Sequence, residues 1–317
     1  MKLLLSKPRG FCAGVERAIE TVEKALMLWG APIYVKHEIV HNTYVVDGLK
    51  EKGAIFIEDL EDVPVGARLI YSAHGVSPAV REQAKERKLI EIDATCGLVT
   101  RVHSAVKRFA NLGFQIILIG HKNHVEVIGT AGEAPDVTTI VESMDDVQAL
   151  PFDQETKLFY ITQTTLSLDD VKDVTEALIQ KYPKIQTLPS SSICYATTNR
   201  QMALREITDK TDLVLVVGDP QSSNSNRLRE AAEKRGIPAY LINDEKEIEP
   251  KWLEGVQTIG LTAGASTPEV IVQKCIAELV VLGIKEVEDV IYTNEDVVFQ
   301  LPKPIVNAVF ASKSTIS

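Results

Sequence analysis

Residues 8–17 read PRGFCAGVER, and the fold turns on how this stretch is placed. The apolar run Leu3, Leu4, Leu5 before it has the pattern of a buried strand, which Pro8, Arg9 and Gly10 end. Past Cys12, apolar residues recur at Val15, Ala18, Ile19, Val22, Ala25, Leu26 and Trp29, the rhythm of one buried helix face. Gly30 then supplies a C-terminal stop. Cys12 is therefore expected where the C-terminal end of a strand meets a helix N-terminus, a place that lowers a thiol's pKa and favours thiolate. Taken alone, that position suits a small buried cysteine as well as a ligand or a nucleophile.

The same unit of apolar strand, small polar loop and helix recurs along the chain. Leu69–Tyr71 precedes SAHGVSPAV, and Ile116–Ile119 precedes GHKNHVEVIGT. Leu158–Ile161 precedes TQTTLSLDDV, Leu213–Val217 precedes GDPQSSNSNRL, and Ile259–Leu261 precedes TAGASTPEV. Short, wholly apolar strands alternating with helices imply an α/β fold of parallel sheets covered on both faces. Ligands in such folds lie beyond the carboxyl ends of the strands, so each polar loop is at the functional end of its own sheet. Six such loops suggest three similar α/β domains, expected at 1–96, 97–193 and 194–282. Residues 283–317 are expected to form a tail packed back on the body, with a strand-like Val297, Val298, Phe299 and a frayed end from Lys313 to Ser317.

Cysteines mark these units. Cys96 follows the short strand Ile90–Asp93 and precedes a helix expected from about Val99 to Leu112, and Cys194 precedes another helix after SSI. Cys275 lies on the apolar side of an amphipathic helix and reads as core packing. The four cysteines form no CxxC pair, which fits a reducing cytosol better than a disulfide scaffold. The first strand begins at Lys2 or Leu3, which leaves no room for a signal or transit peptide, and no apolar run reaches membrane-spanning length. A cytoplasmic location is therefore expected. The formal net charge of -10 argues against nucleic-acid or anionic-membrane partners.

An anionic ligand would need local donors to overcome that field, and the loops carry them. All six histidines fall at or before His124, and His74, His121 and His124 are in strand-end loops, where anion binding or acid–base work is open to them. The HxxHxE spacing of His121, His124 and Glu126 resembles a zinc pattern, but it follows a strand instead of sitting on a helix. Ser222, Ser223, Asn224, Ser225 and Asn226 follow an apolar strand and open a helix. Their hydroxyls, amides and backbone N–H groups make an anion cradle for a phosphate or diphosphate, to which Ser266 can add. Three converging thiolates would leave one position open on a metal, and spacing alone does not separate zinc from iron–sulfur.

Taken together, PRGFCAGVERAI, HEIVHN, SAHGVS, DATCGLVTRVH, GHKNHVEVIGT, TQTTLS, ICYATTNRQ, SSNSNRL and TAGASTPE resemble the 4-hydroxy-3-methylbut-2-enyl diphosphate reductase family over nearly the whole chain. The resemblance implies three pseudo-symmetric α/β domains around a central 4Fe–4S cluster, with Cys12, Cys96 and Cys194 as its three ligands. It implies that His41, His74 and His124, with Thr165, Ser222, Ser223, Asn224 and Ser266, hold the substrate diphosphate. Glu126 matches the proton-delivery residue and Thr164 the hydroxyl beside it. The activity implied is removal of the allylic hydroxyl to give isopentenyl and dimethylallyl diphosphate, with electrons from a ferredoxin or flavodoxin. Gly97 and Val125 depart from the family pattern, which has proline at both places, and this puts the rigidity of two functional loops in question. A zinc-dependent diphosphate hydrolase and a non-catalytic small-anion-binding protein are the alternatives that metal and sulfide contents would separate.

Overall fold

The computed structural model describes residues 1–314, with side chains as far as Ala311. The chain opens with β1 (Lys2–Lys7), α1 (Ala13–Trp29), β2 (Ile33–Lys36), α2 (Thr43–Glu51), β3 (Ala54–Ile57), β4 (Arg68–Tyr71), α3 (Pro78–Glu86) and β5 (Ile90–Asp93). It continues through α4 (Gly97–Asn111), β6 (Gln115–Ile119), α5 (Val125–Ala131), β7 (Thr138–Val141), α6 (Met144–Ala149), β8 (Leu158–Thr162) and α7 (Leu168–Lys181). The last part holds α8 (Tyr195–Thr208), β9 (Leu213–Val217), α9 (Ser223–Glu233), β10 (Ala239–Ile242), β11 (Thr258–Ala263), α10 (Glu269–Val281), β12 (Glu286–Ile291) and α11 (Lys303–Ser314).

These strands form three parallel sheets, ordered β10-β9-β11-β1-β12, β3-β2-β4-β5 and β7-β6-β8. The apolar runs follow from burial on both faces. In the largest sheet Leu3, Leu5, Leu215 and Leu261 pack with Val272, Cys275 and Leu279 of α10. Leu4, Val214 and Val216 point the other way, onto Leu204 and Ile207 of α8 and Leu228 of α9. Cys275 is fully buried in that core, as its helix position indicates.

Sheet membership does not follow the expected division at residue 96. β1 lies in the largest sheet, between β11 and β12, while α1 after it packs on the β2–β5 sheet through Val15, Ala18, Val22 and Ala25. The same handover occurs twice more. β5 ends the second sheet, and α4 after it packs on the third through Val102 and Val106 against Ile116 and Leu118. Beyond the third sheet, α8 packs on the first. Each sheet thus passes a helix to the next, in a closed cycle, and a cysteine stands at every handover.

The tail also differs from expectation. β12 (EVEDVI) is an edge strand on β1 with mostly exposed side chains, so it lacks the apolar signature of the other strands. The strand expected at Val297–Phe299 is absent; residues 293–302 are irregular there. They cross to the second sheet's side, where Leu301, Ile305 and Val309 pack on the core that α1 shares. Of the end expected to fray, Lys313 and Ser314 continue α11, and 315–317 lie outside the described residues.

Candidate active site

The carboxyl ends of β1, β2, β4, β5, β6, β8, β9 and β11 all feed loops into one cavity. It is lined by Cys12, Cys96 and Cys194, by His41, His74 and His124, by Glu126, Thr164 and Thr165, and by Ser222, Ser223, Asn224 and Ser266. The cysteines, the three histidines, Glu126, the threonines and the Ser222–Asn224 and Ser266 donors anticipated from sequence are therefore in the wall of a single space, whereas His121, Ser225 and Asn226 are outside it.

Each of the three cysteines is the N-cap of its helix: Cys12 of α1, Cys96 of α4 and Cys194 of α8. Each backbone N–H reaches across to a neighbouring strand-end loop. Cys12 N donates to Ala265 O at 3.2 Å, Cys96 N to Ala73 O at 3.0 Å and Cys194 N to Thr164 O at 3.0 Å. Gly14 keeps the sulfurs' surroundings open: a Cβ there would stand 2.6 Å from Cys96 Sγ and 3.9 Å from Cys12 Sγ. Capping a helix does not leave Cys96 or Cys194 with a lowered thiol pKa. Burial pushes Cys96 up to about 11 and Cys194 up to about 12, repulsion from Cys12 adds to both, and the N–H groups of the first helical turn only partly offset it. Buried thiols of this kind ionise when a cation sits among them, so the donor set fits a metal or metal–sulfur group with one open coordination position.

The rest of the lining is rich in imidazoles, hydroxyls and an amide. The rings of His41 and His74 are 4.3 Å apart, and His124 lies 5.6 Å and 6.0 Å from them. Burial, reinforced by repulsion among the imidazoles, holds His74 well below its usual range and His124 at about 3; His41 is also lowered, by burial, despite the Glu38 carboxylate 3.3 Å from its Nδ1. His124 Nδ1 accepts from Glu126 N at 3.1 Å and so caps α5. That bond fixes the neutral tautomer with the proton on Nε2. Ser222 caps α9 by accepting from Ser225 N at 3.3 Å. Asn224 bridges two cysteine neighbourhoods, donating to Thr197 Oγ1 at 3.2 Å and accepting from Ala265 N at 2.9 Å. Ser266 Oγ donates to His41 O at 2.8 Å, and Thr165 Oγ1 accepts from Gln163 Nε2 at 3.0 Å. Among the described residues, no lysine or arginine lines the cavity.

Glu126 also lines the cavity and is 2% exposed. Its carboxyl receives Thr164 N at 2.6 Å and Thr164 Oγ1 at 2.8 Å. Burial raises its pKa, against the lowering effect of both Thr164 bonds and of the nearby His103. A buried carboxyl with a raised pKa can hold a proton at neutral pH and give it up to a reacting group.

The family profile described as LytB protein matches residues 3–280. The chain belongs to the LytB family. It is 83% identical, over 98% of its length and 99% of the relative's, to a 4-hydroxy-3-methylbut-2-enyl diphosphate reductase of Protochlamydia amoebophila (strain UWE25). It is 62% identical to the protein of the same name in Chlamydia pneumoniae, over 96% of this chain and 98% of that one. Among solved structures it is similar to the E-1-hydroxy-2-methyl-but-2-enyl-4-diphosphate reductase from Plasmodium falciparum, with a TM-score of 0.96 and 50% identity over 99% of both chains. A second, described as the terminal enzyme of the non-mevalonate pathway, gives a TM-score of 0.64 at 30% identity over 88% of this chain and 98% of that one.

This LytB cavity has further parts that the motifs did not single out. Phe299 of the irregular tail lines it, and a Cβ on Gly97 would stand 3.2 Å from Phe299 Cε1. Gly97 and Val125 occupy the first positions of α4 and α5, where proline is favoured but not required, so both helices start there without it. Among the described residues, His121, His124 and Glu126 of the HxxHxE spacing do not come together as a possible metal-holding group, and His121 is outside the lining. His103 is likewise outside it, buried with Nδ1 2.9 Å from Glu133 Oε1. The imidazoles that do converge with His41 and His74 include His37, whose Nδ1 is 2.8 Å from Glu58 Oε1.

Proposed function

We propose that this cavity removes the allylic hydroxyl of 4-hydroxy-3-methylbut-2-enyl diphosphate and releases isopentenyl and dimethylallyl diphosphate. The conversion takes up two electrons and two protons and expels water. The observation that carries the reading is that three cysteines, an anion-binding wall without fixed cations and a buried protonatable carboxyl share one space.

Cys12, Cys96 and Cys194 would hold a 4Fe–4S cluster, which when bound supplies single electrons and an iron with an open position for an oxygen ligand. The remaining chemistry belongs to the chain. His124, Thr165, Ser222, Ser223, Asn224 and Ser266 bind the diphosphate through neutral donors, and His41 and His74 through imidazoles that can gain a proton. Binding the anion beside His41 and His74 favours their protonated forms and so supplies positive charge that the wall lacks beforehand. Glu126 holds the proton that makes the leaving hydroxyl depart as water, and Thr164 fixes the carboxyl's orientation. The apolar lining from Val15, Val40, Leu98, Val99 and Phe299 keeps water from the allylic chain.

Electrons are assigned to a ferredoxin or flavodoxin, as the family resemblance implies. Four free cysteines support a reducing compartment, the cytoplasm, and no helix of the described residues is long and apolar enough to cross a membrane. The test is anaerobic purification followed by iron and sulfide analysis and by turnover of the allylic diphosphate with a one-electron chemical reductant. A brown protein that forms the two C5 diphosphates supports the reading. A colourless zinc protein that releases phosphate would replace it with the hydrolase.

A further inference from the structure

An arginine stands in the first two turns of the helix after each cavity cysteine: Arg17 after Cys12, Arg101 after Cys96 and Arg200 after Cys194. Each reaches the loop that leads to a different cysteine. Arg17 donates to Thr95 O at 2.9 Å and Asp93 O at 3.3 Å, just before Cys96. Arg101 donates to the carbonyl and hydroxyl of Ser190, before Cys194. Arg200, fully buried, donates to Gly10 O at 2.7 Å and Phe11 O at 3.1 Å, before Cys12. The links close on themselves: 12 to 96, 96 to 194, 194 to 12. They repeat, at side-chain level, the cycle by which each sheet hands a helix to the next. The tail seals two of them, since Gln300 O accepts from Arg17 Nε at 2.6 Å and Glu295 pairs with Arg200 at 3.2 Å.

We infer that Arg17, Arg101 and Arg200 form a closed ring of positioning residues that holds the three cysteine loops in mutual register for the group they bind. The inference rests on the iron–sulfur reading above. A guanidinium suits the task because its fork can bridge two carbonyls while its stem is anchored one or two turns into a helix. Backbone carbonyls accept the bonds, so the ring needs no particular side chain in the loops it grips, the Ser190 hydroxyl apart. Arg200 and Arg17 make the more buried and more numerous bonds, and Arg101 is an exposed link. Losing the first two should therefore cost more.

The full chain is reconstituted anaerobically with ferrous iron and sulfide, then challenged with an iron chelator, and the loss of visible absorbance is timed. Arg17→Gln and Arg200→Gln should lose iron about tenfold faster than the parent or more, and Arg101→Gln about threefold faster, the scale of lost charge-assisted hydrogen bonds. Arg235→Gln, which removes only a surface pair with Asp209, should match the parent. Arg17→Lys should not restore the parent rate, because an ammonium cannot span both carbonyls. Since one break opens the whole ring, Arg17→Gln with Arg101→Gln should lose iron more slowly than the product of the single effects. Unfolding midpoints of the metal-free variants are measured alongside, and those of Arg17→Gln and Arg101→Gln should stay near the parent's. Parent-like iron loss in these two, or losses that simply track the midpoints, overturns the ring; if Arg200→Gln does not fold, these two decide. A parent chain that takes up no iron and sulfide refutes the iron–sulfur reading instead.

Discussion

Thr164 gives both of its donors to Glu126, the backbone N–H at 2.6 Å to one carboxyl oxygen and the hydroxyl at 2.8 Å to the other. The residue that holds the carboxyl in place thus also favours its charged form, while burial favours the neutral form and prevails. Glu126→Gln keeps the size and removes the titrating proton. Iron content and diphosphate binding should persist, and turnover should fall by at least about 10²-fold, the usual cost of losing a general acid. Normal turnover with an unchanged pH profile would transfer the role to His124.

Thr164→Val separates orientation from acidity. It removes one of two bonds that lower the Glu126 pKa, so that pKa should rise further. Activity that needs protonated Glu126 is present below its pKa and lost as pH rises through it, so the alkaline limb of kcat should move up while the plateau falls. A limb that stays put, or moves down, would show that Thr164 does not govern the proton.

The histidine wall gives a third expectation. Burial and neighbouring imidazoles hold His74 and His124 below their usual range, and burial with repulsion from His37 does the same to His41; a diphosphate bound beside His41 and His74 would reverse that preference there. Binding should then take up protons, and affinity should weaken as pH rises through the imidazole pKa values of the bound state. Calorimetry in two buffers of different ionisation heat measures the uptake directly, and His74→Gln should reduce it, since His74 Nδ1 faces the Ser72 hydroxyl, which can accept a hydrogen bond from a proton-bearing nitrogen. Binding with no proton uptake would mean that the imidazoles act only as neutral donors.

How much of this was legible depends on where the stabilising contacts lie. The strands of the three sheets are buried on both faces, so Leu3–Leu5 or Leu213–Val217 announce themselves as unbroken apolar runs. α1 shows its buried face at Val15, Ala18, Val22 and Ala25 and its stop at Gly30, where φ is +75°. The motif residues were legible as a set because all of them but Cys194 sit in the loops, or the first helical turns, that follow strands. β12 was not, since the mostly exposed edge strand EVEDVI breaks its valines with acids and has no apolar run. Nor was the pairing of β1 with strands more than two hundred residues away, which leaves no local mark. The raised Cys96 and Cys194 pKa values were not legible either, because the burial that raises them exists only in the assembled fold. The reach of Arg17 from α1 to the loop before Cys96 likewise exists only once the sheets meet.

Those raised thiols bear on assembly. With Cys96 at about 11 and Cys194 at about 12, both are protonated in the metal-free chain at neutral pH, and each must lose its proton when it becomes a ligand. Loading with iron and sulfide should release protons and should be tighter at pH 8.5 than at about pH 6.5. Cys12→Ser, Cys96→Ser and Cys194→Ser should each abolish it, whereas Cys275→Ser, deep in the α10 core, should leave iron content unchanged. Loss of iron in Cys275→Ser with retention in Cys12→Ser would reverse the ligand assignment.

Gly14 offers the sharpest separation of site from fold. It lies in the second position of α1, its φ is not positive, and alanine is the better helix former by about 0.8–1.0 kcal/mol in a helix interior. On helix propensity alone, Gly14→Ala should not destabilise the chain. Yet its Cβ would fall 2.6 Å from Cys96 Sγ, well inside contact distance, and 3.9 Å from Cys12 Sγ. The Cys96 side chain would have to swing away from the position that faces the cavity. The expected result is a metal-free protein whose thermal midpoint is equal to or above the parent's, together with iron and sulfide contents and visible absorbance far below it. A Gly14→Ala protein that loads fully would show that Cys96 binds from a different rotamer, and that the space beside Gly14 is not reserved for its sulfur.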